Sequence, residues 1–243
     1  MKIIKLNAID STNSFLKELA QTTTLESYTV VVTKEQKNGR GQQTQKWISE
    51  PFKNLTTSVY ISNFDLEINK QKYLSFAISL AIFDALSIHK IKNLSIKWPN
   101  DILSVNKKIC GILIENTIKG SKIQNSIIGI GLNVHQEKFP NSLKNATSLK
   151  NITQKEFDLD LLLVEIVEKI QQRIAMVSLK KYDTLEIDYL NVLYKKNIPT
   201  MFKDSSDVLF MGKITGISLS GNLQIELEDE TLREFRIKEV SLA

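Results

Sequence analysis

The stretch that most limits what this chain can fold into is residues 73–88, YLSFAISLAIFDALSI. It has helical length and is apolar on nearly every side, so no surface position would leave it a polar face for water. Such a helix has to lie buried against a sheet, and the sheet's strands can be read around it. Residues 29–33 (TVVVT) are β-branched and read as a buried strand, and residues 55–61 as the next. Residues 102–105 and 109–115, joined by Asn106-Lys107-Lys108, read as a hairpin, and residues 126–134 (SIIGIGLNV) as a further strand. Leu161, Leu162, Val164, Ile166, Val167 and Ile170 mark a long amphipathic helix over residues 157–177, and a second helical stretch covers 182–194. The expected class is α+β, a mixed β-sheet flanked by helices.

At Pro199 the character changes. Short strands at 208–217, 223–227 and 232–237 follow closely, with turns at Gly221-Asn222 and Asp229-Glu230, as in a small antiparallel barrel or meander. The 243 residues, 42% of them hydrophobic, suffice for one large domain and one small one, expected at 1–198 and 199–243. Cys110 is the one cysteine, which excludes an intramolecular disulfide, and with two histidines, His89 and His135, no structural zinc site is expected. His89, at the end of the apolar helix, reads as a partner of the helix dipole rather than a ligand. The start, MKIIKLN, lacks the apolar core of a leader, and no run approaches the ~18 apolar residues of a membrane span, so a cytoplasmic protein is expected. The net charge of +5 points to acidic partners or anionic substrates; its scatter over KNLSIK, KGSK and LKKY argues against general nucleic-acid binding.

The candidate chemistry centres on Ser95-Ile96-Lys97-Trp98-Pro99-Asn100-Asp101. Strand alternation puts Leu94, Ile96 and Trp98 on one face and Lys97 on the other. Pro99 cannot donate to a ladder and ends the strand, and Asn100 and Asp101 supply turn chemistry beside the ammonium group. A fixed cation at a strand end suits a reaction that builds up negative charge. Asp10-Ser11-Thr12-Asn13 is a capping cluster before Phe15, Leu16 and Leu19. The helix it starts near Thr12 has free N–H groups that can hold a carboxylate or carbonyl oxygen, although a plain cap uses the same residues. Residues 34–47 form a polar loop in which Gly39 and Gly41 flank Arg40 and which ends at Trp47. Trp47 is either a lid over a planar ligand or the anchor of the loop in the core. Gly129 and Gly131 mark a close approach of backbone or ligand; their G-x-G has no third glycine or helix start behind it, so it is a weak dinucleotide signal.

Taken in order, these runs resemble a biotin–protein ligase. They are Asp10-Ser11-Thr12-Asn13, Gln36 with Gly39-Arg40-Gly41 and Trp47, Lys97-Trp98-Pro99-Asn100-Asp101, Gly111-Ile112-Leu113-Ile114-Glu115, Gly129-Ile130-Gly131-Leu132-Asn133 and Glu239-Val240-Ser241-Leu242. The resemblance implies a class II synthetase-like catalytic domain followed by a small Src-homology-3-like β-barrel. It also implies a two-step reaction: biotin and ATP give biotinyl-5′-AMP and pyrophosphate, and a lysine of a biotin carboxyl carrier domain then takes the biotinyl group. Lys97 and Arg40 would be the catalytic cations. Biotin would be held by Ser11, Thr12, Asn13, Gln36, Gly39, Arg40, Gly41, Gln42, Lys97 and Gly111, and ATP by Arg40, Trp47, Lys97, Asn100 and Asn133. Mg²⁺ is expected with the leaving pyrophosphate, without certain protein ligands. Because a mixed anhydride hydrolyses in water, residues 37–46 are expected to be mobile without ligand and ordered over the adenylate.

The chain departs from the family pattern in places. Gln42 stands where an arginine is common and is expected to retain the adenylate less well, since charge-assisted hydrogen bonds are roughly twice as strong as neutral ones. Thr44, in place of a glycine, is expected to stiffen the loop. Ala243 stands where the family often has arginine, which removes a nucleotide contact expected from the small domain. Nine residues precede Asp10, so no DNA-binding domain and no repressor role are expected; some members pair sheets into dimers, so a homodimer is possible here. The rival readings are a lipoate or octanoyl protein ligase of the same architecture and a non-catalytic basic binding module.

Overall fold

The computed structural model describes residues 1–243 apart from Thr44, so the expected stiffening by Thr44 lies outside the described residues. In chain order the elements are β1 (Lys2–Ile9), α1 (Thr12–Thr22), β2 (Thr29–Gln36), β3 (Leu55–Glu67), α2 (Gln71–Ile88), β4 (Leu94–Lys97), β5 (Asp101–Ser104), β6 (Lys107–Lys119), β7 (Lys122–Leu132), α3 (Leu149–Thr153), α4 (Leu159–Ser178) and α5 (Tyr182–Asn191). A second set follows: β8 (Pro199–Asp204), β9 (Leu209–Ile217), β10 (Leu223–Leu227), β11 (Leu232–Phe235) and β12 (Val240–Leu242).

The first seven strands form one mixed sheet in the order β1-β2-β3-β7-β6-β5-β4, in which β1 runs parallel to β2 and the other neighbours are antiparallel. Period-two alternation divides the central strands between two layers. Val30, Val59, Ile61, Ile128 and Ile130 face the large core shared with α2 and α4, whereas Val31, Tyr60 and Ile127 close with Leu16 under α1. The apolar helix is α2, and Ala77, Ile78, Ala81, Ile82, Ala85 and Leu86 are fully buried on it. α4 covers it and also touches β3. Arg173 on α4 pairs with Asp84 on α2 at 2.7 Å and with Asp188 on α5 at 2.5 Å, and Lys72 on α2 pairs with Glu186 on α5 at 2.9 Å. His89 is the C-cap residue of α2, and its Nε2 lies 2.6 Å from Glu165 Oε2 on α4.

The second sheet has five antiparallel strands in the order β11-β10-β9-β8-β12. Among the described residues β11 and β12 are not paired with each other, so backbone hydrogen bonds do not close a complete barrel. Stacked rings of Phe202, Phe210 and Phe235 fill it, and Phe202, Ile214, Leu223 and Ile225 belong to the same buried cluster as the main sheet. Two hydrogen bonds tie the second sheet to the rest of the chain. Trp98 Nε1 donates to the Gly221 carbonyl at 3.1 Å. Asn197 N donates to the Ile214 carbonyl at 2.8 Å, and the chain after α5 seals the β4 edge by hydrogen bonds of Ile96 to Val192 and of Tyr194 to Ile96. The strand at 94–98 thus stops at Lys97, before a cis Trp98–Pro99 peptide, as the proline requires.

Candidate active site

On the α1 side of the main sheet the side chains give way to glycines. Gly111 and Gly131 are register partners on β6 and β7, flanked by Asp101 on β5 and Thr56 on β3. Two residues along β7, Gly129 sits between Leu113 and Ser58 on the same face. A Cβ at Gly129 would stand 2.5 Å from Asn13 Oδ1, one at Gly131 would fall on the Trp47 indole, and one at Gly111 would stand 2.9 Å from Trp47 Cζ3. The close approach expected at Gly129 and Gly131 is therefore made by the side chains of Asn13 and Trp47.

Above this floor lies a cavity of about 540 Å³, lined from both sheets. Of the residues expected in the site, Ser11, Thr12, Asn13, Gln36, Arg40, Gly41, Gln42, Trp47, Lys97, Asn100, Gly111 and Asn133 line it. Gly39 does not; its open side meets the Trp47 carbonyl and Gln36 Nε2.

The start of α1 forms one end of the cavity. Ser11 caps the helix, accepting from Ser14 N. Thr12 N donates to Gln36 Oε1 at 2.9 Å, and Ser58 Oγ lies 2.7 Å from Thr12 Oγ1 and 2.5 Å from Asn13 Oδ1. Asn13 Nδ2 donates to Glu115 Oε2 at 2.7 Å, and the same oxygen pairs with Arg40 Nη2. The capping cluster is thus more than a cap: Thr12 and Asn13 are buried in a network of hydroxyls and amides that faces the cavity.

The Arg40 loop closes on itself as a narrow hairpin, with Gly41 N donating to the Gln45 carbonyl at 2.8 Å and Trp47 N to the Gly39 carbonyl at 2.9 Å. The Trp47 indole rests on the glycine floor of the cavity, and its Nε1 is buried with no partner among the described residues. Asn133 Nδ2 donates to the Thr147 carbonyl at 3.0 Å, while its Oδ1 is buried and unpaired among the described residues. The turn after Lys97 is pinned to β6, since Asn100 Nδ2 donates to the Ile112 carbonyl and Ile112 N returns to the Asn100 carbonyl.

Five cations, Arg40, Lys46, Lys97, Lys108 and Lys238, line the cavity against one carboxylate, Asp101, which lies 2.6 Å from Lys108 Nζ. An excess of positive charge over an uncharged glycine floor suits a ligand that is flat at one end and anionic in the middle. Among the described residues no three His, Cys, Asp or Glu side chains are grouped to hold a metal ion.

Comparison with known proteins agrees with this geometry. A sequence model of the biotin/lipoate A/B protein ligase family matches residues 6–133. The chain belongs to that family. Among relatives of this biotin/lipoate ligase family member, the bifunctional ligase/repressor BirA of Bacillus spizizenii is 29% identical over 231 residues, covering 93% of this chain and 70% of the relative. The biotin–[acetyl-CoA-carboxylase] ligase of Paracoccus denitrificans is 34% identical over 127 residues, 51% of each chain. Among solved structures, the biotin protein ligase of Aquifex aeolicus in complex with biotin and ATP superposes with a TM-score of 0.79 at 27% identity, covering 100% of this chain and 98% of that one.

Some residues of this ligase-family site were not singled out by sequence. Ser58, Glu115, Lys108 and Lys238 are brought in by pairing across the sheet and by the turn before β12. Glu115 was within reach: alternation along Gly111, Leu113 and Glu115 puts its carboxylate on the glycine face. Lys238 carried no such signal, because its place depends on how the second sheet docks.

Proposed function

We propose that this chain is an ATP-dependent biotin–protein ligase. It activates biotin as biotinyl-5′-AMP and transfers the biotinyl group to a lysine of a biotin carboxyl carrier domain. What carries the reading is the convergence of Lys97, Arg40 and the Thr12–Asn13–Gln36–Ser58 network on one glycine-floored cavity. Biotin has a neutral ring head and a carboxylate tail, so its head requires hydrogen bonds and its tail a cation. In this reading the α1 end holds the head. Lys97 draws the carboxylate and the α-phosphate of MgATP together, offsetting their repulsion and the charge that builds as carboxylate oxygen bonds to phosphorus and pyrophosphate leaves. Trp47 and Asn133, each with a buried unpaired polar atom, take the adenine. In the second step the carrier's neutral lysine amine attacks the acyl carbon, the acyl–oxygen bond breaks, AMP departs with its electron pair and the nitrogen releases a proton to solvent. Residues 1–198 would carry the chemistry, while 199–243 would complete one wall of the site through residues such as Lys238.

The test is incubation with MgATP and labelled biotin or lipoate, with and without a carboxylase carrier domain. Biotinyl-AMP without the carrier and a labelled carrier with it are expected. Label from lipoate alone would move the chain to the other branch of its family, and no acyl-adenylate from either acid would overturn the ligase reading.

A further inference from the structure

We propose that Lys108 is a nucleotide-positioning residue that acts through Trp47; the proposal deepens the ligase reading above and rests on it. Between Ile102–Cys110 and Leu103–Lys108 the β5–β6 pairing slips by one residue. Ile109 and Cys110 consequently both enter the core, although neighbours on a regular strand would face opposite ways. The slip, a β-bulge, turns Lys108 onto the glycine face, where uninterrupted alternation from Gly111 would have put Ile109.

There the lysine meets three prepared partners. Its Nζ lies 2.6 Å from Asp101 Oδ1 and 5.6 Å from the centroid of the Trp47 ring. A Cβ at position 111 would stand 3.1 Å from Lys108 Cε, 3.2 Å from its Nζ and 2.9 Å from Trp47 Cζ3, so Gly111 leaves room for both side chains at one point of the floor. The Lys108 backbone is tied by its N–H to the Asn145 carbonyl at 2.7 Å and by its carbonyl to Thr147 N at 2.9 Å. Thr147 in turn accepts from Asn133, which lines the same cavity.

Asp101 balances the ammonium charge, so Lys108 is suited to hold the indole rather than to bind phosphate. Attraction between the cation and the ring fixes the plane of the indole and the direction of its buried, unpaired Nε1–H. A purine that stacks on this ring then finds it already in place. Holding of this kind strengthens nucleotide binding equally before and at the transition state, which raises affinity for ATP and leaves turnover alone.

The experiment compares wild type, Lys108→Met, Lys108→Arg, Asp101→Asn and the Lys108→Met/Asp101→Asn pair. It uses calorimetric titration with ATP alone and steady-state biotinyl-AMP synthesis, with a thermal melt for each protein. Lys108→Met keeps the apolar stem over Gly111 and should weaken ATP about tenfold, with KM for biotin and kcat little changed. Lys108→Arg should restore the affinity, Asp101→Asn should weaken ATP as Lys108→Met does, and the double variant should be no worse than either single one. An unchanged ATP affinity in Lys108→Met, an equal rise in KM for biotin, or failure of arginine to rescue would overturn the proposal. The titration needs no biotin, so absence of biotinyl-AMP from the wild type would sink the ligase reading while the role of Lys108 is still decided.

Discussion

Arg40 is paired with Glu115, a residue 75 positions away on β6, and the carboxylate oxygen that holds the guanidinium also receives Asn13. The cation expected to meet an anionic substrate thus has an internal anion as its partner. Incoming carboxylate and phosphate have to compete with it. Both partners are partly exposed, so the competition is worth no more than about 1 kcal/mol. Glu115→Gln keeps an acceptor for Asn13 and removes the competing charge. Dissociation of biotinyl-AMP should slow by up to about fivefold on this account; faster dissociation in a stopped-flow chase would contradict it.

Gln42 lines the same cavity without a charge. Replacing it by arginine adds a charge-assisted donor beside Arg40, and such bonds are roughly twice as strong as neutral ones. Gln42→Arg should therefore slow release of the intermediate, read as less free biotinyl-AMP in a carrier-free reaction. An unchanged release rate would remove Gln42 from the account of intermediate retention.

The glycine floor makes a paired prediction. Gly129→Ala sets a methyl group 2.5 Å from Asn13 Oδ1, whereas Gly131→Ala sets one on the Trp47 indole. The first should raise KM for biotin and the second KM for ATP, each by about tenfold or more, since overpacking of this kind costs roughly 1–3 kcal/mol. Both glycines lie on β7, which is held on each side by a long antiparallel neighbour, so circular dichroism should show the fold retained. Both KM values rising together in both variants would mean that the two ends of the cavity are not separate subsites.

Alkaline pH should destabilise this protein. Burial pushes the Cys110 thiol above its ordinary value of 9.0, and Tyr73 is raised to about 12, first by burial and then by the neighbouring Glu186 charge. These groups keep their protons in the folded chain at pH values where the unfolded chain loses them. Their contribution is therefore complete below pH 9 and falls as pH rises above it. The denaturation midpoint should drop between pH 9 and 11. At pH 8 a thiol reagent should find Cys110 unreactive until denaturant is added; rapid labelling of the native protein would contradict its burial.

Much of this was legible in the sequence, for physical reasons. An all-round apolar helix has few places to go, so α2 was fixed in the core by its composition. β-branched β2 and proline-stopped β4 announced themselves locally, and three glycines marked the floor. β1 was not recognised as a strand: at the edge of the sheet, its KIIKLNAI run has no buried residue and shows no clean alternation. β8 and β12 are neighbours in the second sheet although they open and close its stretch of sequence, and no local signal announces that partnership. The links Arg40–Glu115 and Trp47–Lys108–Asp101 join distant parts of the chain, and the latter needs a β-bulge that residue types alone do not reveal.

The central claim is that the Lys97 ammonium brings carboxylate and α-phosphate together, and single-turnover formation of biotinyl-AMP by wild type and Lys97→Met tests it most directly. Wild type should form the adenylate, and Lys97→Met should bind biotin yet form it at least about a hundredfold more slowly, the loss expected when a fixed donor to developing charge is removed. Adenylate formation by Lys97→Met at the wild-type rate would contradict the account.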